Sequence, residues 1–379
     1  MYKKQFMRLE NPFSFWHAFP DTERIYWCDT QHDRIIIGAK RLAALSSEQE
    51  IGRYPYVFYG RTFFDTTRPS HWNHMGNELI AFTYYYVVDG DESYCLYADT
   101  LPIIDDKASE FVHHDVYESS HDYEQWASLF HTIQRAIHEG AVSKVVASRE
   151  VEFTSSQGFH VESILHNLVT RNSGCFIFAY QKEGNTFLGA SPEVLVEKKQ
   201  SHVMSYALAG TCAREGCDDQ RKEALLEDPK NVYEHSLVRD MIIHTMKGIT
   251  SQVTVAPMDI MTLPNLYHLR TIIEAYDAST SIIDWCHALH PTPAMGGTPS
   301  DVALDMIKRY ESHERGMYAS PLGMIEGNGD GLCVVGIRSA LIVDTHLYAY
   351  VGCGIVADSD CVEEYKESNN KLRTILESL

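Results

Sequence analysis

The sequence has little positive charge, no long basic run and no long apolar run. Its 379 residues carry 32 lysines and arginines against 52 acidic residues, so the formal net charge is −20. An acidic chain without basic clusters is not expected to bind nucleic acid or an anionic membrane surface. No apolar run approaches the roughly 20 residues of a membrane span, and the N-terminal MYKKQFMRLENPFSFW lacks the apolar segment of a signal peptide. We therefore expect neither a secreted nor a membrane-embedded protein.

The cysteines do not form the pattern of a disulfide framework or a zinc site. There are nine, an odd number, and no CxxC pair occurs. Several lie in apolar runs, where cysteine behaves as a small hydrophobic residue. This usage predicts a reduced, cytoplasmic protein.

Strand and helix patterns are mixed along the chain, without an internal repeat. Residues 1–110 are typical of strands and turns, a polar connection is predicted for 105–122, and helices interspersed with strands follow. Short glycine turns favour antiparallel hairpins over a regular βαβ series. A chain of this length can bury an extensive core, so the pattern predicts a large α+β protein.

Two cationic residues fall in predicted strands. Lys144 opens a strand predicted for 143–153, on the same face as Val146, and Arg338 lies inside a strand predicted for 332–343. A lysine at the start of a strand is commonly a solvent lysine. A buried arginine, in contrast, needs an anionic partner.

The stretch 348–371 combines a strand, glycines and a helix. A short apolar run is followed by Gly352 and Gly354, which predicts that the strand ends there. The helix that follows carries three charged residues at i, i+3 and i+7, on one face: Glu364, Glu367 and Lys371. Paired carboxylates can hold a hard divalent cation, and N–H groups beside glycines can hold an anion. The alternative is a solvated acidic helix.

Several uncommon strings follow one another in a fixed order. They are SKVVASRE, GASPEVLV, LAGT, a helix with Glu234-His235, LHPTPAMGGTP, ERGMYASPLG, GIRSALI and GCGIVADSD…EEYKES. Together they resemble the chorismate-utilising enzymes, which include isochorismate synthases, salicylate synthases, and anthranilate and aminodeoxychorismate synthase chains. The resemblance covers about residues 120–379, and LHPTPAMGGTP is most similar to the isochorismate and salicylate synthase branch.

The resemblance implies a fold and a domain organisation. The fold is α+β, with two large antiparallel sheets packed together, helices outside, and the substrate in the cleft between the sheets. We expect one domain over 1–379, with a variable N-terminal half at 1–110 and the catalytic region at 120–379. The expected ligand is the small molecule chorismate, and no obligatory protein partner is expected.

The resemblance also implies a Mg²⁺ cofactor. Glu234, Glu364 and Glu367 match the acidic positions that hold this ion, directly or through water, and the ion holds the ring carboxylate of chorismate. Oxygen ligands with retained water are what Mg²⁺ prefers. Which of Glu364 and Glu367 binds directly stays open.

A second set matches positions around the substrate. Arg338 and Tyr318 match groups that bind the enolpyruvyl carboxylate, for which a guanidinium fork is suited. His268 matches a histidine beside the ring carboxylate, which is linked to pyruvate expulsion in members that perform that step. The predicted substrate-binding set is His268, Ala294, Tyr318, Arg338, Gly352, Gly354 and Lys371.

Two further matches imply acid–base chemistry. Lys144 matches the general base that activates water, and Glu193 the general acid that protonates the departing hydroxyl. Water would attack C2 while the C4 hydroxyl leaves, with the two groups on opposite faces of the ring. A lysine is a base near neutral pH only if its neutral form is favoured, and a glutamate is an acid only if its pKa is raised.

Alternatives within and beyond the family stay open. Salicylate synthases share Lys144, Glu193 and much of HPTPAMGG, and differ by eliminating pyruvate. Ala209 stands where one type of aminodeoxychorismate synthase has a nucleophilic lysine, which counts against a covalent lysine intermediate but does not exclude ammonia, because anthranilate synthase chains also have alanine there. Those chains, however, usually carry threonine where this chain has Ala294, and the retained Lys144 also favours water. A non-catalytic binding protein would have no reason to keep both an acid and a base. We favour an isochorismate synthase of menaquinone or siderophore biosynthesis, with a preference for menaquinone.

Overall fold

Apolar and β-branched runs form strands along the whole chain, with helices at intervals between them. The computed structural model describes residues 1–65, 70–72, 75–106, 111–119, 123–214 and 218–379. The strands are Lys3–Phe6 (β1), Arg24–Asp29 (β2), Arg34–Ala44 (β3), Tyr56–Gly60 (β4), Glu78–Asp89 (β5), Glu92–Tyr97 (β6), Tyr117–Glu118 (β7), Lys144–Thr154 (β8), Phe176–Lys182 (β9), Asn185–Ser191 (β10), Val194–Lys199 (β11), His202–Ala213 (β12), Val253–Val255 (β13), Asp259–Thr262 (β14), Leu266–Tyr276 (β15), Gly297–Thr298 (β16), Pro321–Glu326 (β17), Gly331–Val335 (β18), Ser339–Val343 (β19) and His346–Ile355 (β20). The helices are Phe13–His17 (α1), Tyr123–His138 (α2), Val161–Arg171 (α3), Asp218–Glu227 (α4), Pro229–Ile249 (α5), Ile282–Leu289 (α6), Ser300–Tyr310 (α7) and Cys361–Leu376 (α8), and Glu48–Arg53 forms a 3₁₀ helix.

The strands pair antiparallel and divide into two arms that meet at β5. The first arm runs β6-β5-β3-β2-β9-β10-β19-β20-β8. The second runs β4-β17-β18-β11-β12-β15, and β4 pairs with β5 as well as β17. The α+β class is therefore confirmed, and the two expected sheets are joined by hydrogen bonds through β5 into one network.

The largest hydrophobic core lies between the two arms. It contains Trp27 and Phe178 from the first arm together with Val196 and Val334 from the second. A second core covers the other face of the first arm, where α3 and α8 pack, and a third joins α2 and α7 to β8 and β20. Because each helix buries one apolar face on a sheet, the helices lie outside the strands.

Strands of the N-terminal region belong to the same network as the rest of the chain. β2 pairs with β9 and β4 pairs with β17, so residues before 110 contribute to both arms. The assignment of one domain with a variable half at 1–110 stays a prediction. In the part of the chain that the structure describes, no helix is both long and apolar enough to cross a bilayer.

Some local predictions differ from the structure. Arg338 lies between β18 and β19 with φ of 50°, not inside one strand over 332–343. Gly352 and Gly354 lie within β20, which continues past them to Ile355 because it stays paired with β8. Parts of the connection predicted for 105–122 lie outside the described residues.

Candidate active site

Lys144 is placed by the alternation of β8. Val145 and Ala147 point into the core formed with α2 and α7, so Lys144 and Val146 face the opposite side, as successive strand residues must. β8 pairs with β20 on one edge and with the short β16 on the other. Lys144 is fully buried at the start of the strand, which excludes the solvent-lysine alternative.

Glu234 is the ionic partner of Lys144. It lies on α5, and its Oε1 is 2.8 Å from Lys144 Nζ. Gly354 leaves room for the pair, since a Cβ there would overlap Glu234 Oε1 and lie 2.7 Å from Lys144 Cε. Burial opposes the charge on Glu234, but the ammonium of Lys144 outweighs it and lowers the pKa of the carboxyl. Glu234 is therefore held as a carboxylate beside Lys144 Nζ.

Glu193 lies across the cavity in the connection from β10 to β11. Just after Glu193, the pairing of β11 with β18 shifts register between Val194 and Val196. Irregularities of this kind, next to a proline, change the direction in which a neighbouring side chain points. The Glu193 side chain is buried, and burial raises its pKa to about 8 although Lys144, Lys371 and Arg338 oppose the shift. The carboxyl is thus protonated at neutral pH, the direction that the sequence interpretation requires of a general acid.

His268 on β15 has one polar partner at each ring nitrogen, and these two partners define its tautomer. Arg338 Nη2 donates to His268 Nε2 at 2.9 Å, and His268 Nδ1 lies 2.9 Å from Thr211 Oγ1. A guanidinium has no acceptor, so Nε2 must be unprotonated and Nδ1 carries the hydrogen. Burial, with the charges of Arg338 and Lys371, holds the pKa of His268 well below its usual value. The ring is therefore neutral, and it anchors the Arg338 guanidinium.

Tyr318 and Lys371 meet the glycines of β20. A Cβ on Gly352 would lie 2.6 Å from Ala147 O and 3.0 Å from Tyr318 Oη, so only glycine allows the tyrosine this close. Lys371 Nζ donates to Gly352 O at 3.1 Å and pairs with Glu367 at 2.7 Å. Burial opposes the charge of Lys371, but Glu367 outweighs it and raises the pKa of the lysine. A hydroxyl, an ammonium and a guanidinium thus line one cavity, and all three are groups that can donate hydrogen bonds to a carboxylate.

Glu364 is the most buried of the three acidic residues expected to hold a metal. Lys230 Nζ lies 2.6 Å from its Oε1, and Ser359 Oγ donates to the same oxygen at 2.7 Å. Burial and then the charge of Glu367 raise the pKa of Glu364. Each of the three carboxylates is therefore paired with one lysine, and among the described residues no group of three acidic, histidine or cysteine side chains converges on a common point as a metal site does.

The donor chemistry nevertheless fits a hard divalent cation. Glu234, Glu364 and Glu367 offer only oxygens, as Mg²⁺ prefers. All three act electrostatically on the ammonium of Lys230, which raises its pKa although burial opposes the charge. The ammonium of Lys230 thus already places a positive charge next to these carboxylates, as a bound metal ion would. The metal-ligand assignment of the three stays a prediction.

Ten of the twelve predicted site residues line one cavity. It lies between the two arms, with β8 and β20 on one side and β12 and β15 on the other, as expected of the cleft. The lining predicted residues are Glu193, Glu234, His268, Ala294, Tyr318, Arg338, Gly352, Gly354, Glu367 and Lys371. The other two, Lys144 and Glu364, stand behind Glu234 and Glu367 as their ionic or helical neighbours.

Comparison with known proteins agrees with this arrangement. Residues 39–379 match the family described as Chorismate binding enzyme. The chain belongs to this family. Isochorismate synthase MenF of Bacillus subtilis is 36% identical over 263 residues, which cover 68% of this chain and 56% of that protein. The salicylate biosynthesis isochorismate synthase of Pseudomonas aeruginosa is 34% identical over 267 residues, covering 69% of this chain and 56% of that protein.

Solved structures of other proteins show the same fold. The menaquinone-specific isochorismate synthase MenF from Escherichia coli superposes with a TM-score of 0.87 at 23% identity, covering 100% of this chain and 94% of that chain. Anthranilate synthase component I from Streptococcus pneumoniae gives a TM-score of 0.73 at 17% identity, covering 99% and 92%. The α+β fold of the family is therefore present, while the chain spans little more than half the length of the two relatives matched by sequence.

Sequence reasoning missed three residues of the site. Lys230 holds Glu364, Ser359 donates to the same carboxylate, and Thr211 accepts from His268. A signal existed for Lys230, because it precedes Glu234 by four residues and so shares its face of α5. Thr211 ends the LAGT string, but nothing in the sequence indicates that β15 would bring a histidine to it.

Proposed function

We propose that this protein is an isochorismate synthase, which converts chorismate to isochorismate. The observation that carries the proposal is Glu193, a buried carboxyl with its pKa raised to about 8. It lines the same cavity as Glu234, whose Oε1 lies 2.8 Å from Lys144 Nζ. A protonated acid and an amine base on different segments of the chain are the two groups that the reaction needs. Two relatives that are 34–36% identical carry this activity in their names.

In the proposed reaction, water adds at C2 and the C4 hydroxyl departs as the ring double bonds shift. Lys144 takes the proton from the attacking water, and Glu193 gives its proton to the departing hydroxyl, which leaves as water. Atoms and charge balance, so the product is an isomer of the substrate. Lys144 Nζ lies 2.8 Å from Glu234 Oε1. Only a neutral amine can take a proton, so the role of Lys144 as a base requires that it release a proton before the water attacks. The proton that it then gains must return to Glu193 through solvent before the next turnover.

The two carboxylates of chorismate would bind to different groups in the cavity. Arg338, oriented by His268, and Tyr318 would bind the enolpyruvyl carboxylate. Glu234, Glu364 and Glu367 would hold a Mg²⁺ ion, which when bound supplies positive charge to the ring carboxylate. The acidic side chains themselves cannot bind that carboxylate, so this half of the proposal depends on the metal.

The pathway and the compartment are also proposals. Isochorismate synthase DhbC of Bacillus subtilis is 35% identical over 257 residues, covering 64% of this chain and 64% of that protein, close to the 36% of MenF. These values favour neither menaquinone nor siderophore biosynthesis. The cysteines in the described part of the chain are free thiols, which supports a reducing, cytoplasmic environment.

The test is product analysis by chromatography with purified protein, chorismate and MgCl₂, with and without ammonium and with a Lys144→Ala control. We expect isochorismate as the product, lost in the variant and after removal of the metal. Salicylate with pyruvate would assign the protein to the lyase branch, and an ammonium-dependent aromatic amine would make it an aminase. No turnover would favour a binding protein.

A further inference from the structure

Glu234, Glu364 and Glu367 form an acidic cluster, and the cation beside it, Lys230, has no assigned role. It lies in the first turn of α5, after Asp228 caps the helix by accepting from Asn231 N. Its Nζ is 2.6 Å from Glu364 Oε1, and that carboxylate is 3% exposed while the lysine side chain is 32% exposed. A strong, largely shielded ion pair therefore closes one side of the cluster.

The other two lysines differ from Lys230 in burial. Lys144 is fully buried, and Lys371 is fixed by two contacts, to Glu367 and to Gly352 O. Moving either ammonium into solvent would break contacts inside the protein. Lys230, with a long flexible stem and a third of its side chain exposed, can swing into solvent at little steric cost.

We propose that Lys230 is a built-in counter-ion that occupies the acidic cluster in the metal-free protein and is displaced when a divalent cation binds. The proposal rests on the metal part of the proposed function. Each of the three carboxylates lies next to one ammonium, and Glu364 is turned toward Lys230 by their ion pair and by the hydrogen bond that Ser359 donates. Without this cation, Glu364 and Glu367 would be neighbouring negative charges one helical turn apart.

Competition between an ammonium and a metal makes a quantitative prediction. A carboxylate must release Lys230 before it ligates the cation, so the lysine weakens metal binding and stabilises the metal-free fold. Lys230→Met removes the charge while keeping most of the aliphatic length. We expect Mg²⁺ affinity to rise by about tenfold or more, since a positive charge a few ångströms from the bound cation is removed.

The experiment is isothermal titration calorimetry of the full chain with MgCl₂ alone, without chorismate. Lys230→Arg keeps the charge and should leave the affinity near that of wild type. Lys247→Met removes an exposed lysine from the other end of α5 and should do the same. Unchanged or weaker Mg²⁺ binding by Lys230→Met would overturn the proposal.

Thermal melting gives a second readout. Without metal, Lys230→Met should melt below wild type, because Glu364 is left as a buried, unpaired acid, and MgCl₂ should raise its melting temperature more than that of wild type. Equal responses of the two proteins to MgCl₂ would contradict the exchange. If Lys230→Met does not fold, Lys230→Gln serves in both measurements. Neither measurement needs turnover, so failure to form isochorismate would refute the proposed function and leave the exchange to be judged on Mg²⁺ binding.

Discussion

The Glu193→Gln substitution tests the central acid of the proposed reaction. Glutamine has the shape of the protonated carboxyl but cannot donate its proton to a leaving hydroxyl. A general acid contributes roughly 10²- to 10⁴-fold to a rate, so kcat should fall by that factor. In the wild-type enzyme, kcat should also fall as the pH rises through about 8, because Glu193 then loses the proton that it must donate.

The same group makes stability depend on pH, with a sign that follows from its pKa. The pKa is raised from 4.5 to about 8 in the folded protein. Folding therefore favours the protonated form, whose stabilisation is full below pH 4.5 and is lost as the pH rises through 8. At 1.36 kcal/mol per pH unit, the loss from this one group reaches at most about 5 kcal/mol. Glutamine cannot ionise, so the variant should not show it.

The assay is urea unfolding of wild type and Glu193→Gln at pH values from 5 to 9, with Glu197→Gln as a matched control in the neighbouring strand β11. The control should follow wild type, because Glu197 forms only a local pair with Lys199. The difference in free energy of unfolding between Glu193→Gln and wild type should grow in favour of the variant as the pH rises. Parallel curves for the two proteins, or full turnover by Glu193→Gln, would refute the reasoning.

Two further substitutions test the packing and the anchoring of the site. Gly354→Ala would bring a methyl group into overlap with Glu234 Oε1, so circular dichroism melting should show a loss of stability of about 1–3 kcal/mol, and turnover should nearly vanish. The control is Gly248→Ala, at a helical position with open space. It should stabilise the protein by up to about 1 kcal/mol and leave turnover unchanged. Arg338→Lys removes the planar fork and the bond to His268, so steady-state kinetics should show the KM for chorismate raised roughly tenfold; an unchanged KM would mean that this guanidinium does not bind substrate.

Much of the local structure follows from periodicity in the sequence. The two-residue alternation of β8 separates Val145 and Ala147, which pack under helices, from Lys144, which lies on the opposite face of the strand and contacts Glu234. Similarly, the helical spacing of Glu367 and Lys371 predicts the pair that forms at 2.7 Å. These predictions succeed because they depend on neighbours within one element.

The contacts between distant elements could not be predicted in the same way. Arg338 sits at φ of 50° outside the strands, a conformation that apolar runs on either side of it do not reveal. Its partner His268 is 70 residues away, and the two meet only because β15 and the β18–β19 connection face one cavity. Likewise, the pairing of Glu364 with Lys230 depends on how α5 packs beside α8, and the pairing of Glu234 with Lys144 depends on how α5 packs beside β8, which no local pattern encodes.

The charges of the site explain why the proposed substrate calls for a metal. Glu193 and His268 are neutral near pH 7, the first because its pKa is about 8 and the second because its pKa is held low. The ionised groups described above are three lysines and one arginine against three carboxylates: Lys144, Lys230, Lys371, Arg338, Glu234, Glu364 and Glu367. They leave a single positive charge for a substrate with two carboxylates. One carboxylate can be met by Arg338 and its neighbours, while the other would face acidic side chains. As we propose, a divalent cation would bind those carboxylates through oxygen ligands that the chain already provides, and the release of Lys230 to solvent would leave two positive charges for the two carboxylates of the substrate.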